Sequence, residues 1–286
     1  MSFTLVDVNY MSPSQASTMV GCERKWWHSY VDGIKEPSSE PLAMGGGFAL
    51  ALEDQDVDAG LREYVARRPA MSDWIDASLY ERQEWIGRAT IMRAFDGYTF
   101  RWPDVDVERE VTYLVNLPDT ERLLQCRVDG VHPEYQIEDK LRSGTAMRSD
   151  ALENEVRQGF QLTAEIYGRW RSTGELVPVH LRCVKKCDPR KYKECQSFDE
   201  VNEVAAAHFD QEASFQEFVA TRTVDQLREF ERDAVELCRR ADRLGASDTP
   251  AGAKNTSNCH AYGRACPVLD LCQGMSTEKG NDGTTN

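Results

Sequence analysis

Between residues 105 and 140 lie three short segments, 105–115, 122–131 and 135–140, rich in β-branched and apolar residues, and they restrict the fold more than any other feature. Leu117-Pro118-Asp119 and His132-Pro133 separate them, and both are turn signals. Three strands joined this way read as an antiparallel meander. The flanks are patterned for helices. Ser12-Pro13-Ser14-Gln15 supplies a cap, a proline suited to the first helical position and a capping-box glutamine, so a helix runs from there to Gly21-Cys22. Residues 23–31 read as a second short helix and 44–53 as a glycine-rich entry into another. Residues 78–98 read as a long helix with Leu79, Ile86, Ala89 and Phe95 inward. After the meander, 151–172 predicts one helix ending near Thr173-Gly174, 177–186 a further strand, and 199–244 two long helices broken near 221–223.

This is the pattern of an α/β domain: a central sheet flanked by helices, with an N-terminal helical portion and a C-terminal cysteine-rich portion. We read a single domain over residues 1–273, with helices to about 100, a core to about 198, and helices and cysteines beyond; the Gly/Thr/Asn-rich tail 274–286 is expected to be disordered. With 41% hydrophobic residues in 286, a sizeable core is within reach. The first residues lack a basic stretch followed by an apolar one, and no run approaches the length of a membrane span. We therefore expect a soluble, cytoplasmic protein with no membrane partner. The net charge of −14 argues against a polyanion partner only as an average. Residues 140–195 hold 12 Lys/Arg against 7 Asp/Glu, so a polyanion has a basic place to sit. Ordinary solvated surface is the plainer reading of the same charges.

The sharpest chemical signal is Asp129-Gly130 followed by Glu138-Asp139-Lys140. Side chains alternate along a strand, so Glu138 and Lys140 share a face, and the turn at His132-Pro133 folds them back toward Asp129. Two carboxylates, a main-chain carbonyl and waters make a hard oxygen site suited to Mg²⁺ or Mn²⁺. Read without that chemistry, the same residues are a hairpin with alternating surface charges.

Asp129-Gly130 with Glu138-x-Lys140 resembles the signature of PD-(D/E)XK nucleases. The opening block Ser12-Pro13-Ser14…Cys22-Glu23-Arg24-Lys25-Trp26-Trp27…Tyr30 is similar to that of RecB-like nucleases and the exonucleases of CRISPR adaptation modules. The resemblance runs from about Ser12 to Cys272. It implies a restriction-endonuclease-like fold whose N- and C-terminal portions close on each other. It makes Asp129, Glu138 and the main-chain carbonyl of Asp139 metal ligands and Lys140 the catalytic lysine. Glu108 matches an acidic position before the core. In place of a Q-x-x-x-Y motif the chain has Gln161 with Glu165 four residues on and Tyr167 beyond, so Gln161 and Tyr167 are the candidate strand contacts, against the plainer reading of a helix with mixed faces. Where such proteins carry a histidine ligand, this chain has Ala49; Glu53, one turn on, is the candidate substitute ligand.

Nine cysteines without a secretory signal point to metal or redox chemistry rather than disulfides. Cys259, Cys266 and Cys272 fall in one short Gly/Pro-containing segment able to wrap one centre, and four thiolates suit either a [4Fe–4S] cluster or Zn²⁺. The resemblance nominates Cys22 as the fourth ligand and favours the [4Fe–4S] cluster; His260 is an alternative ligand in a zinc site. Cys183, Cys187 and Cys195 form a rival group that lacks an evident fourth ligand, and Cys126 and Cys238 read as core thiols. Lys185, Lys186, Arg190, Lys191 and Lys193 are candidate phosphate contacts. Trp26, Trp27 and Tyr30 either stack on bases or bury the N-terminal helix.

These features imply a metal-dependent DNA exonuclease acting on a free end or a single strand, in repair, recombination, CRISPR adaptation or phage DNA metabolism. Two alternatives stand beside it. One is an inactive nuclease-like DNA-binding or scaffolding subunit that keeps the cluster, and the other a zinc-binding interaction protein.

Overall fold

The structure, a computed structural model, describes residues 10–34, 38–71, 76–103, 105–147, 149–259 and 266–272. The first nine residues, His260 and the tail 274–286 lie outside the described residues, and with them the expectations placed there. In chain order the elements are β1 (Tyr10–Met11), α1 (Pro13–Gly21), α2 (Glu23–Tyr30), α3 (Glu40–Asp54), α4 (Val57–Arg67), α5 (Ala77–Arg101), β2 (Glu108–Asn116), β3 (Leu123–Val131), β4 (Gln136–Arg142), α6 (Ser149–Gln158), α7 (Phe160–Thr173), β5 (Val179–Lys185), α8 (Phe198–Phe209), β6 (Phe215–Ala220), α9 (Val224–Gly245) and α10 (Leu269–Cys272). The six strands make one mixed sheet in the order β1-β3-β4-β5-β6, with β2 also pairing with β3. Among the described residues no helix is long and apolar enough to cross a membrane.

The chain groups into two compact units. The smaller takes residues 1–36, 114–125 and 228–286, the larger 37–113 and 126–227. In the smaller unit the expected N-cap forms: the Ser12 side chain accepts from Gln15 N–H at 3.3 Å. Trp26 and Trp27 are buried, which gives them the role of core residues rather than open stacking surfaces. Cys238 is buried as well, and Arg122 is ion-paired with Asp242.

In the larger unit α3 packs on α4 at backbone distance. A Cβ placed on Gly47 would lie 2.6 Å from the Gly60 carbonyl oxygen, so the glycines of α3 sit inside the helix, where they permit close packing, rather than at its entry. The turn at His132-Pro133 forms as read, with His132 N–H donating to Tyr135 O at 2.9 Å. The pairing continues through Val131↔Gln136 and Gly130↔Ile137. Beyond the meander β4 pairs with β5 in parallel after the α6–α7 crossover, so the sheet as a whole is mixed.

Three further expectations are corrected. The helix read over 151–172 is two helices: at Gly159 a Cβ would collide with the Glu155 carbonyl, and the break there starts α7 afresh. The region read as two long helices contains β6, which pairs antiparallel with β5 from Val179↔Ala220 to Val184↔Phe215. Its Phe-Gln-Glu-Phe-Val-Ala alternation has the period of a strand, and pairing with β5 overrides the acidic, helix-like context. Leu79 is 47% exposed because the first turn of α5 projects beyond the core, whereas Ala89 is buried. The helix α4 is an addition to the elements expected from the pattern.

Candidate active site

The site lies wholly in the larger unit, on the face of the β3–β4 hairpin covered by α7. The ladder runs through Val131↔Gln136 to Gly130↔Ile137, and Asp129 and Glu138, the next residue on each strand, lie within electrostatic reach of each other. Lys140, two residues further along β4, joins them: its ammonium contacts Glu138 Oε1. Asp139 turns to the opposite face. Its carboxylate takes Arg109 Nη1 at 2.6 Å, and Arg109 Nη2 donates to Tyr98 OH at 3.3 Å. The Asp139 main-chain N–H donates to Asp129 Oδ2 at 2.7 Å, which fixes the rotamer of that carboxylate. Strand alternation, a tight turn and a buried ion pair on the other face of β4 together account for the convergence.

The helix α7 brings a second pair of side chains. Gln161 and Glu165 are four residues apart and share a helix face. Gln161 Nε2 donates to Glu138 Oε1 at 2.6 Å, and Gln136 Nε2 donates to the main-chain oxygen of Glu165 at 3.2 Å. Glu138 is 1% exposed and Glu165 is fully buried. With Oε1 of Glu138 engaged, its Oε2 and both carboxyl oxygens of Glu165 are buried without an amide, hydroxyl or cationic donor among the described residues, and the two carboxyls lie within hydrogen-bonding reach of each other. Tyr167 does not share this face: it sits about 200° around the helix from Glu165 and accepts from Arg171 at 3.2 Å.

Electrostatics follow from this crowding. Burial, then the charges of Glu138 and Asp139, push the Asp129 carboxyl well above the usual carboxylate range, against the pull of Lys140 and the Asp139 N–H. Burial, then Glu138 and Asp129, do the same to Glu165. For Lys140 burial works toward neutrality, but Glu138 and Asp129 outweigh it and hold the ammonium charged. Among the described residues no group of three or more His, Cys, Asp or Glu side chains is placed to hold a metal ion. The carboxylates instead gather around the Lys140 ammonium, with buried oxygens left over. Hard oxygens of this kind are the donors a divalent cation takes, though here the Lys140 ammonium is what they surround.

Glu53 lies 4.0 Å from Arg127, which also pairs with Glu110 and feels the charge of Asp129. Glu108 is exposed at the start of β2. Of the basic residues, Lys185, Lys186, Arg190 and Lys191 line a cavity of about 1200 Å³ together with Leu141 and Arg142, the two residues that follow Lys140 on β4. Lys193 is exposed, and its carbonyl accepts from Arg82 at 3.3 Å.

In the smaller unit Cys22 occupies the junction of α1 and α2, its Sγ 3.9 Å from Ala253 O. Glu23 accepts from Ala253 N–H at 2.8 Å, while the side chains of Asn255 and Asn258 donate to Gly21 O at 2.9 and 2.8 Å. The N- and C-terminal portions therefore close on each other. Cys266 N–H donates to Cys259 O at 2.7 Å. Burial, then Cys22 and Cys266, raise the Cys272 thiol, which places these three within electrostatic reach of one another. Cys183, Cys187 and Cys195 are buried, the last two packed in the core with Tyr192, and Cys126 is buried too.

Glu165 and Arg169 are the site and support residues that sequence reasoning missed. Glu165 carried a signal, its spacing of four from Gln161. Arg169 carried none, because its partners are main-chain oxygens: it donates to His132 O at 2.7 Å, Pro133 O at 2.7 Å and Tyr135 O at 3.3 Å.

A protein from Eubacterium rectale, provisionally designated an exonuclease and solved by crystallography, superposes on this chain with a TM-score of 0.57. It is 12% identical, over 95% of this chain and 96% of its own. The two share a fold. An alkaline exonuclease from Laribacter hongkongensis, 12% identical over 69% of this chain and 88% of its own, reaches a TM-score of 0.32, too low to carry weight. No family model and no protein of curated function matches the sequence.

Proposed function

We propose that this chain is a divalent-metal-dependent deoxyribonuclease that hydrolyses phosphodiester bonds from a free or single-stranded DNA end. The observation that carries this reading is the proximity of Asp129 and Glu138 on the two strands of one hairpin, with a charged Lys140 in contact with Glu138. The designation of the Eubacterium rectale protein agrees with it. Asp129 and Glu138, with the Asp139 carbonyl, would hold Mg²⁺ or Mn²⁺. Such an ion polarises a phosphate and lowers the pKa of a water. Lys140 offsets negative charge growing on the phosphate, and Gln161 holds Glu138 in one orientation. Arg142, Lys185, Lys186, Arg190 and Lys191 present charge to the phosphates, while Leu42, Met44, Ile86 and Leu141 give the same cavity an apolar wall against which unpaired bases could lie. We further propose that Cys22, Cys259, Cys266 and Cys272 hold a [4Fe–4S] cluster, with Zn²⁺ as the alternative occupant.

The test is nucleotide release from linear and from circular DNA in Mg²⁺ or Mn²⁺. Wild-type protein should degrade linear DNA only with metal, and Lys140→Ala should lower the rate by about 10² or more. Unchanged activity in Lys140→Ala would overturn the assignment of that lysine. DNA binding without turnover in the wild type would instead favour an inactive, DNA-binding role, to which Ala49 at the usual histidine position already lends support.

A further inference from the structure

We infer that Arg109 is a positioning residue: from the far face of β4 it sets the placement of Asp129 against Glu138. The inference rests on the nuclease reading of that pair and extends it to a residue outside the strand motif.

Arg109 stands on β2 and reaches both strands of the hairpin. Its Nη1 donates to Asp139 Oδ2 at 2.6 Å and to the main-chain oxygen of Asp129 at 3.5 Å. The Asp139 N–H in turn donates to Asp129 Oδ2 at 2.7 Å. Asp129 is thus held at its carbonyl by the guanidinium, and at its carboxylate by a peptide group whose own side chain the same guanidinium holds. These contacts fall one residue past Gly130↔Ile137, the last β3–β4 pair among the described residues, where the ladder no longer fixes the spacing of the two strands.

The guanidinium is itself fixed. Its Nη2 donates to Tyr98 OH at 3.3 Å. Arg182 Nη1 donates to the same buried hydroxyl at 2.8 Å, and Arg182 Nε donates to Glu217 Oε1 at 3.1 Å. Glu110, the next residue on β2, has φ 56°, a left-handed conformation unusual inside a strand. With that kink Arg109 serves Asp139 while Glu110 pairs with Arg127. The Arg109–Asp139 pair is buried, and a buried ion pair adds little net stability over apolar packing. What it supplies is direction, because an arginine's planar fork bonds several acceptors at fixed angles and an ammonium does not.

Two readouts on the full chain test the inference. Amide hydrogen exchange followed by NMR needs no turnover. In Arg109→Lys the Asp139 amide should exchange at least about tenfold faster relative to the other amides of the β4–β5 ladder, because its bond to Asp129 loosens while the strand stays paired. In nucleotide release from linear DNA, kcat should fall by about 10–10² with KM within about twofold of wild type. Arg109→Gln combined with Asp139→Asn removes both charges and leaves no ion of this pair buried alone; it should show the same pattern and serves if the lysine variant does not fold. Unchanged kcat in a folded variant, or an Asp139 amide loosened no more than its neighbours, overturns the inference and leaves the nuclease reading intact. No turnover by wild-type protein, with the Asp139 amide selectively loosened in the variant, overturns the nuclease reading and leaves Arg109 as the group that places Asp129.

Discussion

Asp129 and Glu165 hold protons more tightly than carboxylates free in water, because both are buried and both face Glu138. The folded, metal-free chain therefore keeps protons that the unfolded chain has released above about pH 4. Stability from such groups is present at low pH and lost as pH rises through their raised values. Carboxyls held low, such as Glu217 beside His180 and Arg182, act with the opposite sign, so the comparison must be made between wild type and a variant. In chelator, the melting temperature of wild type relative to Glu165→Gln should decline as pH rises above about 4. A difference independent of pH would show that Glu165 does not titrate as the packing requires. At this scale much of the site was legible. Asp129, Glu138 and Lys140 announce themselves because strand alternation is a local rule, and Gln161 because it lies on the next face-sharing helix. Glu165 was visible only as a departure from a motif, since its significance comes from burial, which one sequence does not display. Nothing local distinguishes the Asp139 side chain, which turns away to Arg109.

Among elements, α7 ties both arms of the hairpin. Near its start Gln161 reaches Glu138, and two turns later Arg169 grips the carbonyls of His132, Pro133 and Tyr135 while also pairing with Glu175 at 2.8 Å. Hydrogen bonds from a charged donor are worth about 1.5–3 kcal/mol each, less where half-exposed as here, and they do not add. Arg169→Ala should destabilise the chain by about 2–5 kcal/mol in denaturant unfolding. Arg169→Lys should recover only part of that, because an ammonium lacks the planar fork. A loss below about 0.5 kcal/mol would mean that the turn stands without the clamp. The strands β2 to β5 were readable from their own composition. The strand β6 was not, because its six residues lie in an acidic, helix-rich stretch and owe their conformation to β5. The break at Gly159 was hidden for a related reason: a lone glycine in a helical pattern is ambiguous until the chain's path is known.

For the whole molecule, a cluster held by Cys22, Cys259, Cys266 and Cys272 would join residues separated by more than two hundred positions, and binding of that kind is coupled to folding. Anaerobically purified protein should be brown and contain iron and sulfide. Cys22→Ser with Cys266→Ser should lose both and melt at a lower temperature. A colourless wild type with one zinc per chain would assign the site to zinc. The partition of the chain has a further consequence, for synthesis. The smaller unit is assembled from the first 36 residues, a short central piece and everything from Arg228 onward, whereas the larger needs nothing beyond Leu227. On a ribosome the larger unit therefore has all its residues before the smaller one can finish, and the contacts of Glu23 and Arg24 with Ala253 and Gly252 form only late. Slow translation beyond codon 227, rather than before it, is where nascent chains of this protein would be most prone to aggregate.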